Sequence, residues 1–306
     1  MIDVVIATYN GEKYLKEQLD SILGQTYKDI HIICRDDGST DRTVDIIREY
    51  EAEYPGIVSL ITDDVKCGSS CSNFMQALKH TTAEYVMFSD QDDYWLKDKI
   101  RHTLDRMKTI ESRVGCNKPV LVFGSYQPVD EKLNPLKDNI KSRQEAAYKL
   151  DFTNLLVQNY VHGCLMMVNR TLADMMGDYN KHILMHDWWG ALIAAGGGAV
   201  EHIDEVMMLY RQHGDNVVGS VNVKSFQYRM RKVLDPETKK VSKLYMEQAR
   251  LLYKRNKNDL TDEHRRELKA FIKLFQKPKF VRVIELVRGN YLKSDLVRVL
   301  GQIWYI

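Results

Sequence analysis

Strand-like and helix-like patterns alternate along the first 89 residues of the chain. The apolar runs IDVVIAT (2–8), IHIICR (30–35), IVSLIT (57–62) and YVMFS (85–89) have the length and β-branched content of buried strands, and the segments between them place apolar residues at helical spacing. Parallel strands need crossover connections, which helices commonly supply. The alternation therefore predicts an α/β fold with a parallel sheet covered by helices, and with ligands at the carboxyl ends of its strands.

Polar clusters follow three of these strands at the point where each strand ends. TYNGE follows the first strand, RDDGSTD the second and SDQDD the fourth. Because the carboxyl ends of parallel strands meet at one edge of a sheet, we expect these clusters to line one wall of a cleft. That wall would contain Thr8, Tyr9, Asn10, Asp36, Asp37, Asp90 and Asp92.

Three aspartates, Asp90, Asp92 and Asp93, crowd into four positions after the fourth strand. Carboxylates this close repel one another unless a cation or a proton compensates them. Magnesium and manganese commonly bind through one or two carboxylates together with phosphate oxygens, so two aspartates at a strand end suit a metal-bound diphosphate, with a solvated turn as the alternative. Asp93 also precedes the helix-like YWLKDKI and is equally suited to cap that helix.

The composition is that of an ordinary globular protein, with 306 residues, 44% hydrophobic and 28% charged. No apolar run approaches the roughly 18–20 residues that a membrane-spanning helix needs, and the start lacks the pattern of a signal peptide, so we expect a cytoplasmic location. Five cysteines without CxxC spacing argue against a disulfide framework and a structural zinc site, although Cys67 and Cys71 leave a redox pair open.

Charge is distributed unevenly along the chain. Residues 1–223 contain 23 Lys and Arg against 33 Asp and Glu, whereas residues 224–306 contain 21 against 9. An acidic body suits a cation-dependent site. The basic tail favours an anionic surface such as a cytoplasmic membrane leaflet, with nucleic acid as the rival partner.

The later part of the chain changes from mixed to helical patterns. Further strands are predicted at 119–126, 163–168 and 206–211, with a helix near DWWGALIAAG. A helical appendage is predicted from about residue 224, with segments near 224–233, 238–257, 261–276 and 279–303.

Five motifs together resemble one protein family. VVIATYNGEKYLKEQLDSILGQTY, RDDGSTDRT, SDQDD, HDW and YRQHGDN occur in the order and spacing found in family 2 glycosyltransferases of the GT-A fold, and the chain is most similar to their bacterial rhamnosyltransferase branch. The resemblance implies a mostly parallel nucleotide-binding sheet in a catalytic domain over 1–223, with a donor half at about 1–115 and an acceptor half at about 116–223. Residues 224–306 would form the basic helical C-terminal region.

The resemblance also assigns roles on the donor side of the site. Asp37 is expected to accept the imide N–H of uracil or thymine, with Asp36 as the alternative and turn chemistry as a second use of both. Thr8 and Tyr9 would flank the base, Tyr9 by stacking, and Asn10 would lie beside them. Gly38 permits the tight turn that lets a base approach.

Other residues are assigned to the metal and the chemistry. The resemblance implies Asp92 as a direct ligand of a divalent cation, manganese or magnesium, and Asp90 near the ribose or a second metal position. His213 would complete the metal shell or bind the diphosphate, and Arg211 offers a phosphate contact. Asp187 is the candidate catalytic base, although this chain has His-Asp where the family often has Glu-Asp.

The implied reaction is an inverting, metal-dependent transfer of a sugar from a nucleoside diphosphate donor to a glycan hydroxyl. The rhamnosyltransferase resemblance implies L-rhamnose from dTDP-rhamnose and an acceptor in a bacterial cell-surface polysaccharide or its lipid-linked precursor. A UDP-hexose or UDP-N-acetylhexosamine donor is the alternative, and a nucleotidyltransferase or a non-catalytic sugar-nucleotide-binding protein is more remote. The basic amphipathic tail fits contact with the inner face of the plasma membrane or a homodimer interface, and nucleic acid is not expected as a partner.

Overall fold

The computed structural model describes residues 1–136, 150–214, 236–294 and 296–306. The helical segment expected at 224–233 and the domain boundary expected near 223 lie outside the described residues. In the rest of the chain, the predicted α/β architecture with a helical C-terminal part is confirmed.

An eight-stranded sheet forms the centre of the described part of the fold, with the strand order β3-β2-β1-β4-β7-β6-β8-β5. The four strands β1 to β4 are mutually parallel where they pair, β7 runs antiparallel to β4 and β6, and β8 is parallel to β6 and antiparallel to β5. The strands are β1 Ile2–Thr8, β2 Ile30–Asp36, β3 Val58–Ile61, β4 Tyr85–Ser89, β5 Tyr94–Trp95, β6 Val120–Val129, β7 Met166–Asn169 and β8 Ala199–Arg211.

Helices cover the sheet and continue into the C-terminal part. Those of the mixed region are α1 Leu15–Leu23, α2 Thr43–Glu53, α3 Ser70–Leu78, α4 Lys99–Val114, α5 Phe152–Leu155, α6 Arg170–Met176 and α7 His186–Gly197, with a 3-10 turn at Gly163–Leu165. The C-terminal helices are α8 Pro236–Asn256, α9 Asp262–Leu274, α10 Lys279–Arg288 and α11 Leu296–Tyr305. A search of the described helices for one with the length and hydropathy of a bilayer span finds none.

The C-terminal helices pack against α7 and share its core. Leu252, Leu268 and Phe271 are buried in the same hydrophobic cluster as the central strands. The backbone N–H of Thr261 donates to the carbonyl of Gly196, which draws the start of α9 against the end of α7. A Cβ on Gly197 would lie 2.5 Å from the carbonyl oxygen of Asp259, so this approach requires a glycine.

Two local predictions are wrong. The stretch after Asp93 does not start a helix, because Tyr94 and Trp95 form β5 and pair with β8, and α4 begins only at Lys99. Asp93 is therefore not a helix cap. The strand predicted at 206–211 is present but starts earlier, at Ala199, because its first half, which mixes polar and apolar residues, pairs with β6 through a bulge that hydrophobic patterning does not reveal.

Candidate active site

The polar clusters after β1, β2 and β4 meet at one edge of the sheet. Thr8 pairs in register with Asp36, and the N–H of Asp37 donates to the carbonyl of Thr8. Gln91, the middle residue of the DQD motif, clamps the first strand end by accepting from the N–H of Tyr9 and donating to its carbonyl, at 2.9 and 3.0 Å. The expected wall of strand ends is thus present.

Asp36 is used by the turn that follows the second strand. Its carboxylate accepts from the N–H groups of Gly38 and Ser39 and from the hydroxyls of Ser39 and Thr8. These bonds close an Asx-type turn in which Gly38 has a φ of 91°, a value that favours glycine. The turn chemistry expected as the alternative reading applies to Asp36.

Asp37 anchors a neighbouring loop. Its two carboxylate oxygens accept from the backbone N–H groups of Cys67 and Gly68, at 2.6 and 2.8 Å. A nucleobase N–H would share an oxygen that already accepts one bond, which a carboxylate oxygen with two lone pairs allows. The sequence did not indicate this loop contact.

A buried arginine at the end of β2 also holds this loop, which follows β3. Arg35 is fully buried at the end of β2, forms a forked ion pair with Asp63, and donates to the side chain of Asn73 and the carbonyl of Val65. The guanidinium lowers the pKa of Asp63 to about 2 through these hydrogen bonds. A charged residue inside the apolar run IHIICR was the signal that could have identified this network.

Tyr9 and Asn10 differ in what they offer to a ligand. Asn10 has a positive φ of 47°, and its side-chain oxygen accepts from the N–H of Thr40, so it joins the loops that follow β1 and β2. The Tyr9 ring is exposed beside them. Its position suits stacking on a base, as the sequence predicts.

The aspartate cluster divides into an outward and an inward part. Asp92 points to the mouth of the site, where its Oδ2 lies 2.9 Å from the Nε2 of His213. Oxygen from a carboxylate and nitrogen from an imidazole are both ligands of manganese, so this pair fits a divalent cation that also binds phosphate oxygens. The structure thereby brings together the two residues that were predicted as ligands.

The inward part contains two buried residues, Asp93 and Cys164, and the partly exposed Asp90. Asp90, Asp93 and Cys164 place potential ligand atoms within 4.8 Å of one another. Burial, followed by repulsion from Asp92, raises the pKa of Asp90 to about 7, and burial followed by repulsion from Asp90 raises that of Asp93. Burial also raises the pKa of the Cys164 thiol, and a protonated thiol is a poor metal ligand. This inner group is therefore less suited to a cation than the outward pair.

A lysine lies beneath this inner group. The ammonium of Lys99 is buried, donates to the carbonyl of Cys164 at 2.5 Å and sits 3.5 Å from the ring centroid of Trp95. Burial lowers the pKa of Lys99 to about 7, while Asp93 and Asp90 attract its charge. Lys99 was not predicted as a site residue, because the sequence KDK at 97–99 is typical of a charged helix start.

Arg211, expected to offer a phosphate contact, has its guanidinium engaged with protein groups. Its guanidinium is buried, donates to the carbonyls of Asp92 and Glu131, pairs with the carboxylate of Glu17 and stacks over the Tyr14 ring. Its bond to the Asp92 carbonyl fixes the backbone of that aspartate.

Asp187 lies at the start of α7, buried beside the inner group. Its carboxylate accepts from the N–H groups of Gly163 and Trp188, at 3.1 and 2.6 Å. Burial raises the pKa of Asp187 to about 6, which is close to the value that suits a general base at neutral pH. The adjacent residue of the same 3-10 turn, Cys164, interacts with Asp90, so one short turn connects the predicted base with the donor-side carboxylate.

His186, which precedes the predicted base, is a buried residue between two aromatic rings. Its ring centroid lies 4.3 Å from that of Phe74 and 5.2 Å from that of Phe88. Neither ring nitrogen has a hydrogen-bond partner among the residues that the structure describes, and burial lowers the pKa of His186 to about 3. The departure from the Glu-Asp pattern therefore places a neutral ring in an apolar pocket.

Comparisons with known proteins agree with this geometry. The family model described as "Glycosyl transferase family 2" matches residues 3–174, more than half of the chain. The chain is 33% identical over 226 residues to dTDP-rhamnosyl transferase RfbG of Shigella flexneri, covering 70% of this chain and 74% of that protein. It is 28% identical over 217 residues to an uncharacterized glycosyltransferase of Rickettsia typhi, covering 70% of this chain and 64% of that protein.

Two solved structures share the fold at low sequence identity. One is residues 1–349 of Staphylococcus aureus TarS in complex with UDP-GlcNAc, with a TM-score of 0.55 and 15% identity over 99% of this chain and 90% of that one. The other is the mannosyltransferase PcManGT from Pyrobaculum calidifontis in complex with GDP-Man and Mn²⁺, with a TM-score of 0.56 and 16% identity over 94% of this chain and 75% of that one. The GT-A type of fold predicted from the sequence is confirmed.

Proposed function

Because the chain belongs to glycosyl transferase family 2 and is therefore a glycosyltransferase, we propose that it transfers L-rhamnose from dTDP-rhamnose, with inversion, to a hydroxyl of a bacterial cell-surface polysaccharide or its lipid-linked precursor. The observation that carries the proposal is the 3-10 turn at Gly163–Leu165, which holds Asp187 next to Asp90. This proximity supports a site in which Asp187 would take the acceptor proton while Asp90 would lie on the donor side.

The choice of donor is supported by relatedness and by the shape of the base-binding corner. The dTDP-rhamnosyl transferase relative is matched over most of both chains. Asp37 follows β2 and its backbone bonds to Thr8 at the end of β1, where the ring of the next residue, Tyr9, is exposed; a carboxylate and an exposed ring suit the imide N–H and the flat face of thymine. Uracil has the same imide, so UDP-sugars are the matched comparison donors.

A divalent cation would be held by Asp92 and His213, with the phosphate oxygens of the donor as further ligands. Bound there, such an ion supplies Lewis-acid neutralisation of the charge that develops on the departing diphosphate. Arg211 keeps the Asp92 backbone fixed by donating to its carbonyl.

Asp187 would act on the acceptor. The acceptor hydroxyl oxygen forms a bond to the anomeric carbon while the bond from that carbon to the diphosphate oxygen breaks, and the hydroxyl proton passes to the Asp187 carboxylate. The N–H groups of Gly163 and Trp188 hold this carboxylate in place before the reaction. Attack opposite the leaving group gives inversion.

A thermal-shift panel with purified protein tests the donor. We expect dTDP-rhamnose with manganese to raise the melting temperature most, since a ligand at about 100 times its Kd stabilises a protein by roughly 2.7 kcal/mol. Matched arms contain dTDP-glucose, UDP-glucose and UDP-N-acetylglucosamine, each with manganese or with EDTA. A larger shift with a UDP-sugar would overturn the choice of donor, and equal shifts in EDTA would overturn the metal requirement.

Donor hydrolysis and transfer by Asp187→Asn test the assigned base. We expect a loss of about 100-fold or more, because general-base catalysis typically contributes that much. Asp105→Asn is the matched control, since Asp105 is exposed on α4. Activity of Asp187→Asn equal to that of the control would contradict the role.

A further inference from the structure

The last two helices carry rows of apolar side chains that face solvent. On α10 the row follows i, i+4 and i+7 spacing, and on α11 it follows i, i+4 and i+8 spacing, so each row lies on one side of its helix. All six side chains are classed among the exposed large hydrophobic residues of the chain. We define them as the C-terminal apolar face: Phe280, Ile284, Val287, Leu296, Leu300 and Trp304.

This face is separate from the side by which the same helices are attached. Leu286 of α10 and the nearby Tyr291 and Ile306 are buried in the core that the C-terminal helices share with α7. A surface helix normally turns polar residues away from the core. The outward rows are therefore not needed for packing, and clustered exposed apolar groups of this kind mark interaction sites.

Lys279 connects the two rows. Its ammonium donates to the carbonyl of Trp304 at 2.9 Å and lies 5.7 Å from the centroid of the Trp304 ring. The neighbouring Arg282 donates to the carbonyl of Ile306 at 2.8 Å. The C-terminal end of α11 thus lies against the first turn of α10, where Phe280 is exposed, and the two rows meet there.

Basic residues surround the apolar face. Residues 277–306 contain six lysines and arginines and two acidic residues, and one of the acidic residues, Glu285, pairs with Lys277. Exposed Lys279, Arg288 and Arg298 lie on the two helices themselves. Long basic side chains can keep their charges in the headgroup layer while their stems and the apolar groups between them enter it.

We propose that the C-terminal apolar face is an interfacial membrane-binding site for bilayers that contain anionic lipids. Apolar anchors, a tryptophan and a basic rim together match the chemistry of such a surface. A second copy of the chain is a poorer occupant, because a two-fold contact through this face would set one basic rim against another. The site goes beyond the proposed transfer reaction and does not depend on the identity of the donor.

Tryptophan fluorescence of the full chain provides a direct readout. Of the four tryptophans, Trp304 is 64% exposed, whereas Trp95, Trp188 and Trp189 are at most 7% exposed. Vesicles made of equal parts phosphatidylcholine and phosphatidylglycerol should shift the emission to the blue and protect it from acrylamide, and Trp304→Phe should remove that shift. Vesicles of phosphatidylcholine alone should give little change. No shift with the anionic vesicles would overturn the proposal.

Sedimentation with the same vesicles distinguishes binding through the C-terminal apolar face from nonspecific binding through other exposed apolar residues. Ile284→Ser combined with Leu300→Ser should weaken partitioning by about tenfold or more, because two aliphatic side chains no longer leave water. The matched control is Val114→Ser combined with Leu244→Ser, two exposed apolar residues on other helices, and it should bind like the wild type. Equal weakening by both pairs would count against a defined face.

Charge reversal tests the contribution of the basic residues around the apolar face. Lys279→Glu combined with Arg288→Glu should weaken binding to the anionic vesicles by about tenfold or more, whereas Lys97→Glu combined with Lys108→Glu, exposed residues elsewhere, should have a smaller effect.

Light scattering in solution measures the molar mass and so tests whether the apolar face binds a second copy of the chain instead. A dimer that the Ile284 and Leu300 substitutions convert to a monomer, without vesicle binding by the wild type, would overturn the proposal in favour of a subunit contact.

Discussion

Replacing Asp187 by asparagine should abolish transfer and also change how stability depends on pH. Burial raises the pKa of Asp187 from an ordinary value of 3.8 to about 6. A raised carboxyl pKa means that the folded state disfavours the ionised form. The resulting destabilisation is absent below about pH 4, grows as the pH rises from about 4 to about 6, and is constant above that range. A shift of about 2 units corresponds to roughly 3 kcal/mol.

The Asp187→Asn substitution removes this pH-dependent destabilisation and adds a destabilisation that is the same at every pH. Gly163 and Trp188 donate to different oxygens of Asp187, and asparagine replaces one of these oxygens by an NH2 group, so one such bond is lost at a cost of about 1–2 kcal/mol at every pH. The difference in free energy of unfolding between Asp187→Asn and the wild type should therefore rise by about 2 kcal/mol between about pH 4.5 and about pH 7.5. Urea unfolding followed by circular dichroism in EDTA measures it, and groups that titrate in both proteins cancel.

Asp105→Asn again serves as the control, because its carboxylate is exposed, and its difference from the wild type should stay nearly flat over the same range. A flat curve for Asp187→Asn would refute the idea that this carboxyl is held ready for protonation. In the active enzyme the same titration should appear as an acid limb in kcat/KM at or below about pH 6, since a bound cation nearby favours the ionised form.

Four further substitutions test other parts of the site. Asp92→Asn and His213→Gln should each raise the manganese concentration for half-maximal activity by about 10- to 100-fold, and unchanged midpoints in both would remove the pair from the metal site. Arg211→Met should lower the free energy of unfolding in urea by about 2 kcal/mol or more, because buried carbonyls lose their donor, and wild-type stability would contradict its positioning role. His186→Phe should raise the free energy of unfolding by about 1 kcal/mol, since two buried unpartnered nitrogens are removed, and a lower thermal midpoint would point to a missing partner.

The sequence predicted the part of the fold that hydrophobic periodicity encodes. The first four strands begin and end within about one residue of the expected positions, because each is a buried run bounded by polar turns. The short strand at Tyr94 and Trp95 was not predicted, since a two-residue strand at the sheet edge is defined by its pairing with β8. The first half of β8 was missed for the same reason, because its backbone pairs with β6 while its side chains mix polar and apolar residues without a regular alternation.

The order of the motifs predicted correctly which residues lie close together at the site. It was less successful in predicting what each side chain contacts there. Asp92 and His213 are far apart in sequence and lie together, as expected. Asp37 and Arg211 are at the site, but their polar atoms are engaged with backbone groups of neighbouring loops. Spacing along a chain specifies the end of a strand, whereas the direction of a buried guanidinium depends on carbonyls that belong to distant segments.

The repulsion among the three aspartates after β4 is reduced in two ways. Asp92 faces the mouth of the site and the predicted cation. Asp90 and Asp93 face inward, where the buried ammonium of Lys99 attracts both of them and itself rests on the ring of Trp95. A lysine loses much of its hydration on burial, so its presence there is favourable only if nearby negative charge offsets that cost. The helix-like segment YWLKDKI thus places a buried lysine six residues after Asp93 as an internal counter-charge, and Asp92 remains as the carboxylate proposed to bind a cation.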